Sequence, residues 1–116
     1  MLKKIITKSD RVLFMDTDTA IATSVESIWS RFDTDLNDTV YVLGAIRDCF
    51  WSECAYFRNR RVPIVEPYGL NSGVMFMPLK RMNEFNFTEK LTDLLDVYLK
   101  RLKLPEQDLL NILFFN

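Results

Sequence analysis

Apolar residues in this chain fall first into short continuous runs separated by polar turns, and only towards the end settle into a helical period. Val12, Leu13, Phe14 and Met15 form the first run. A run of that length predicts a strand buried on both faces, as in a parallel sheet. Val40–Ala45 and Val74–Met77 predict two more strands, with Met75 and Met77 as core filler. Ahead of the first run, Leu2, Ile5 and Ile6 are spaced like the tail of a helix that ends at Ser9-Asp10. After it, Thr23-x-x-Glu26 fits a capping box and predicts a short helix with Val25, Ile28, Trp29 and Phe32 turned inward. The polar stretch Asp33–Asp38 reads as a turn, and 48–66 as a long surface segment of the kind that forms lids or substrate walls. Pro67-Tyr68-Gly69 turns the chain towards Leu70-Asn71-Ser72-Gly73.

From Asn86 the pattern becomes helical. Phe87, Leu91, Leu94, Leu95, Tyr98 and Leu102 make one apolar stripe. Pro105 interrupts it and suits the first turn of a further helix, with Glu106, Gln107 and Asp108 placed where acidic groups favour the helix dipole. Leu109, Leu110, Ile112, Leu113, Phe114 and Phe115 then leave almost no polar face, which predicts a helix buried on most sides. Strands alternating with helices place the chain in the α/β class.

Composition narrows the picture. The 116 residues, 48% of them hydrophobic, allow one domain or a piece of a larger one. A net charge of −1 lacks the basic footprint of nucleic-acid binding, so no nucleic-acid partner is expected. No apolar run approaches the ~20 residues that span a bilayer, and Met1-Leu2-Lys3-Lys4 does not lead into a signal-peptide core. Histidine is absent, which removes Ser-His-Asp and Cys-His nucleophile systems and every His-based metal site within these residues. Cys49 and Cys54 are too few for a zinc site, and a local disulfide or two unlinked thiols both fit their spacing.

Three polar groups interrupt the apolar segments. Asp16 and Asp18 stand one residue apart at the end of the first strand, where open α/β folds bind ligands. Two close carboxylates repel until a cation neutralises them, and their hard oxygens suit Mg or Mn. The second group is Asn71-Ser72-Gly73, whose glycine lets a backbone or ligand approach closely. The third is Glu106-Gln107-Asp108. Each also has an ordinary reading: a strand-end turn, an Asn-Ser-Gly turn and an N-terminal cap.

Taken together, Val-Leu-Phe-Met-Asp-Thr-Asp, then Leu-Asn-Ser-Gly-Val-Met-Phe-Met with Arg81-Met82 soon after, then Glu-Gln-Asp-Leu-Leu-Asn-Ile-Leu-Phe, resemble family 8 retaining glycosyltransferases of the GT-A fold, near the glucoside xylosyltransferase branch. The resemblance runs over about positions 10 to 116, and 33–66 matches loosely. It implies a partial GT-A fold, central strands with flanking helices, read as the middle of a catalytic domain. The first nucleotide-binding unit would precede Met1, and the remainder would follow Asn116. It also implies that Asp16 and Asp18 hold Mn (or Mg) against the diphosphate of a UDP-sugar, UDP-xylose in the branch resembled, whose sugar passes to a glycan acceptor on a protein. Asn71, Ser72, Gly73 and Glu106 would bind substrate, with Gln107 beneath the anomeric carbon and Asp108 on sugar hydroxyls. The family's pattern has Asp where this chain has Glu106, and draws a third metal ligand, a histidine, from beyond the equivalent of Asn116. The compartment implied is the Golgi or endoplasmic reticulum lumen, with membrane attachment only through an anchor that this chain does not carry.

Two other readings stay open from the residues alone. One is a catalytically inactive sugar-nucleotide or protein-binding remnant. The other is a haloacid-dehalogenase-type phosphohydrolase, with Asp16 as nucleophile and Asp18 as acid/base, although Ala20 stands where that motif expects Thr or Val.

Overall fold

The computed structural model describes residues 8–36, 44–47 and 61–115. In chain order the elements are strand β1 (Arg11–Met15), helix α1 (Val25–Leu36), strands β2 (Gly44–Arg47) and β3 (Leu70–Pro78), and helices α2 (Leu79–Glu84), α3 (Phe87–Tyr98) and α4 (Pro105–Leu113). The strands form one sheet in the order β1-β3-β2. The chain divides into two compact units, Met1–Gly44 with Gly73–Phe85, and Ala45–Ser72 with Asn86–Asn116.

In the first unit β1 pairs antiparallel with β3, from Arg11 opposite Pro78 to Met15 opposite Val74. This corrects the expectation of a strand buried on both faces in a parallel sheet. No residue of β1 is fully buried, and Phe14 is 40% exposed. Alternation along paired strands puts Arg11, Leu13 and Met15 on the same face as Val74 and Phe76. Helix α1 covers that face. Phe32, 2% exposed, stacks on Phe76 at 4.6 Å between centroids, and Trp29 meets Phe32 edge-on at 5.4 Å. The Arg11 guanidinium carbon lies 5.8 Å from both the Trp29 and Phe32 rings, within cation–π range. On the opposite strand face Met75 and Met77 are buried, as expected of core filler.

The start of α1 differs from the capping box read at Thr23-x-x-Glu26. Ser24 caps the helix: its Oγ accepts from the Ser27 amide at 3.1 Å, and the two serine hydroxyls lie 2.8 Å apart. The helix therefore begins one residue later than that box requires, and Val25, expected inside, sits in its first turn with 43% exposure. Nor does Asp33 begin a turn. The helix runs on to Leu36, with Ser30 and Thr34 hydroxyls donating to the Glu26 and Ser30 carbonyls one turn back, which absorbs their polarity.

Of the second predicted strand only Gly44 and Ala45 are described, and both belong to β2. The helix tail read before residue 8, and most of the long segment after Asp48, including Cys49 and Cys54, lie outside the described residues. Helix α2 has no counterpart among the sequence expectations. Leu79 and Met82, three positions apart, bury its inner side, and its first amide donates to the Asp10 carbonyl at 2.8 Å.

In the second unit most of the predicted stripe of α3 faces inward, with Phe87 buried and Leu91, Leu94, Leu95 and Tyr98 half-buried, while Leu102, the last residue of that stripe, lies beyond the helix, which ends at Tyr98. Phe87 lies 6.5 Å from Phe114 beyond the end of α4. Pro105 takes the first position of α4, where its missing amide costs nothing, and Leu109, Leu110 and Ile112 are buried as expected, whereas Leu113 and Phe114 are half-buried and Phe115 is 48% exposed.

Phe32 closes the first unit's core, so Phe32→Ala should cost about 3–5 kcal/mol, a large share of the roughly 5–15 kcal/mol that holds a domain together. Chemical denaturation of the two proteins side by side measures this.

Candidate functional site

At the end of β1 the ladder gains one more rung. The Asp16 amide donates to the Gly73 carbonyl at 2.8 Å, continuing the register of the strand pair. The Thr19 amide then closes a turn on the Asp16 carbonyl at 3.2 Å. Backbone bonds on both sides of Asp16 thus fix where the turn sits, while Asp16, Thr17 and Asp18 themselves are exposed. Among the described residues, no third His, Cys, Asp or Glu joins the two aspartates in a metal-sized cluster. Their donor set is all carboxylate oxygen, which fits a hard divalent cation as part of its shell. Gly73 is half-buried opposite Asp16 in the ladder.

The second unit holds Asn71, Ser72, Glu106, Gln107 and Asp108. Its arrangement turns on a residue that the motif reading passed over, Asn111, which is 0% exposed. The Asn111 Oδ1 accepts from the Leu70 amide at 2.9 Å and the Val65 amide at 3.3 Å. Its Nδ2 donates to the Leu70 carbonyl at 2.8 Å and to the Gln107 carbonyl at 2.9 Å. A primary amide has two donor hydrogens and an oxygen with two lone pairs, and all four are used. Towards Leu70 the side chain behaves as a strand neighbour would, answering both its N–H and its C=O.

The turn that feeds this clamp closes through the Gly69 amide, which donates to the Val65 carbonyl at 2.6 Å. Gly69 has φ 72°, a left-handed value that glycine adopts without the steric cost most side chains would carry. Beyond it, Asn71, Ser72 and Gly73 lie within β3 rather than in a turn.

One helical turn before Asn111, Gln107 repeats the contact. Its Oε1 accepts from the buried Ser72 amide at 3.3 Å. The ladder is geometrically consistent: four residues back along a helix advance about 6 Å, close to the rise of two strand residues from Leu70 to Ser72. Ser72 and Gln107 are thereby brought together, with Asn71 half-buried beside Ser72 in β3.

Asp108 is 1% exposed. Its Oδ2 accepts from the Lys103 amide at 2.7 Å and the Leu104 amide at 3.2 Å, just ahead of the helix start. Leu104 at the cap position offers no side-chain acceptor, so Asp108 supplies it from inside. Burying a carboxylate this fully is tolerable because amide donors and the positive end of the helix face it. Glu106, in contrast, is exposed.

The whole chain, residues 1–116, matches the profile of glycosyl transferase family 8. The chain belongs to that family. Human glucoside xylosyltransferase 1 is 32% identical over 99% of this chain and 28% of its own length. A putative glycosyltransferase of Haemophilus influenzae is 24% identical over 95% of the chain and 32% of its own length. Among solved structures, galactosyltransferase LgtC, determined in complex with donor and acceptor sugar analogs, superposes with a TM-score of 0.74 at 28% identity, covering 98% of this chain and 39% of that one. Mouse xyloside xylosyltransferase 1 in its apo form gives 0.63 at 26% identity, covering 97% and 44%. The fold is accordingly part of the GT-A fold, as the sequence resemblance implied. This family 8 chain spans under half the length of each of these relatives.

Truncating Asn111 to Ala would orphan the Leu70 N–H and C=O and the Val65 N–H, each costing about 1–3 kcal/mol if left buried and unpaired. We expect hydrogen exchange in Asn111→Ala to accelerate at Leu70 and Ser72 well before it does at Leu13 and Phe76 in the first unit.

Proposed function

We propose that this chain contributes the donor-sugar side of a retaining glycosyltransferase that moves a sugar, xylose by its relatives' names, from a UDP-sugar to a sugar acceptor on a glycoprotein. The observation that carries the reading is the Ser72 amide bond to Gln107, which joins two of the chain's polar motifs 35 residues apart. Membership of the family supports a glycosyltransferase over a phosphohydrolase.

In this reading Asp16 and Asp18 hold the divalent cation, Mn or Mg. When bound, such a cation neutralises charge that builds on the diphosphate as the sugar bond breaks. Asn71, Ser72, Gly73 and Glu106 line the sugar. Gln107, oriented by Ser72, presents its amide beneath the anomeric carbon, and Asp108 binds sugar hydroxyls at the head of α4. The acceptor attacks on the face from which UDP departs, which preserves the anomeric configuration. Absence of histidine from the sequence gives the metal only oxygen ligands here, which favours weak turnover by the isolated chain. The secretory lumen is the compartment that goes with this chemistry. No helix of the described residues is long and apolar enough to cross a membrane.

Calorimetric titration of the chain with UDP and Mn should give heat that requires both, and no heat at millimolar ligand would defeat the proposal. Asp16→Asn with Asp18→Asn should weaken Mn-dependent binding by at least the ~10–100-fold that even an outer-shell partner of a metal ligand is worth. The circular dichroism spectrum should stay unchanged. Rapid UDP-xylose turnover by the isolated chain would contradict its expected weakness as a catalyst, and binding without any turnover in a longer chain would support the non-catalytic remnant.

A further inference from the structure

Asn86-Phe87-Thr88 has the Asn-x-Thr pattern that marks an acceptor for N-linked glycan, and neither the fold nor the proposed sugar-transfer site uses it as such. The pattern alone is short and often buried or idle. Here its geometry is unusual. Asn86 has φ 56° and ψ 40°, the left-handed conformation that asparagine tolerates better than most residues. A capping side chain needs an extended backbone at the cap position, and Asn86, though it precedes the first turn of α3, makes no side-chain cap bond. Its carbonyl instead accepts from the Lys90 amide at 3.1 Å. Its carboxamide is therefore exposed and not spent on the helix. Thr88 is exposed as well, while Phe87 between them is buried and lies 6.5 Å from Phe114. The buried ring pins the site to the second unit, with the acceptor and its hydroxyl partner both on the outside.

We propose that Asn86 is an N-glycosylation site, taking an oligosaccharide from a lipid diphosphate donor. The Asn86 Nδ2 forms the new bond to the anomeric carbon, the bond from that carbon to the diphosphate oxygen breaks, lipid diphosphate leaves, and the Nδ2 proton passes to a base of the transferase. The transferase reads the Thr88 hydroxyl, so serine there would serve and alanine would not. The glycan then stands at an exposed turn where it displaces no packed side chain. The proposal rests on the secretory-lumen reading above for its setting, but its chemistry can be asked separately.

The test translates all 116 residues behind an added, cleavable signal peptide in the presence of endoplasmic reticulum microsomes. Peptide mass spectrometry should find an endoglycosidase-sensitive glycan on Asn86. Thr88→Ala should abolish it while leaving the left-handed asparagine in place, Thr88→Ser should retain it, and Asn86→Gly, which suits the same backbone conformation, should abolish it with the helical circular dichroism preserved. The sequence holds a second such pattern at Asn37-Asp38-Thr39, and glycan there is scored apart by the same peptide map. An unmodified Asn86, in microsomes that glycosylate a reporter translated alongside, overturns the proposal. Modification in microsomes but none on the protein isolated from its own cells would uphold the acceptor site and count instead against the lumenal compartment.

Discussion

A side-chain amide with every hydrogen-bonding position filled holds the second unit in register. Asn111 sits in α4 among Leu109, Leu110 and Ile112, where an unpaired amide would be a heavy penalty. It is tolerated because Leu70, Val65 and Gln107 answer all its donors and acceptors. The requirement works in both directions. The strand entrance needs partners for Leu70, and the helix needs a use for its buried polar group. Sliding α4 by one residue along β3 would break both at once, so the bond set selects one alignment where hydrophobic contact alone would accept several. Gln107, a turn away and facing Ser72, inherits its position from that alignment.

The proposed site residues of each unit are thus held by different means. In the second unit Ser72, Gln107 and Asp108 are buried and anchored, and their chemistry depends on tertiary packing. In the first, the carboxylates of Asp16 and Asp18 reach solvent from a turn whose location comes from backbone bonds to Gly73 and Thr19. Exposure suits a group that must gather a hydrated cation, and burial suits one that must hold a neutral sugar in a fixed pose. Asp108 belongs with the buried set, since its Oδ2 accepts from the Lys103 and Leu104 amides and the residue lies almost wholly inside.

Much of this was legible in the sequence wherever a local rule decides the outcome. Pro105 starts α4 because proline is suited to a first turn, and the stripe from Phe87 to Tyr98 folds as the helix its period requires. What was not legible depended on partners distant in sequence. Four consecutive apolar residues in β1 look the same whether the neighbour runs parallel or antiparallel, and only pairing with β3 shows that both faces are not sealed. Thr23 and Ser24 are adjacent hydroxyls, either of which can cap, and it is Ser24 that does. The six residues of α2 are too few to display a period, so Leu79 and Met82 gave no helical signal. Asn111 did leave a trace, a lone amide four positions after Gln107 in an apolar run, but its meaning needs Leu70.

The backbone anchoring of Asp16 has an evolutionary corollary. Because the turn is fixed by main-chain atoms, replacing either carboxylate leaves the fold's own bonds intact, whereas replacing Asn111 strikes at the fold itself. A duplicated copy released from selection for catalysis would be free to shed its aspartates early and would keep its shape long after. In this architecture, chemistry is the first thing drift can erase and form is the last.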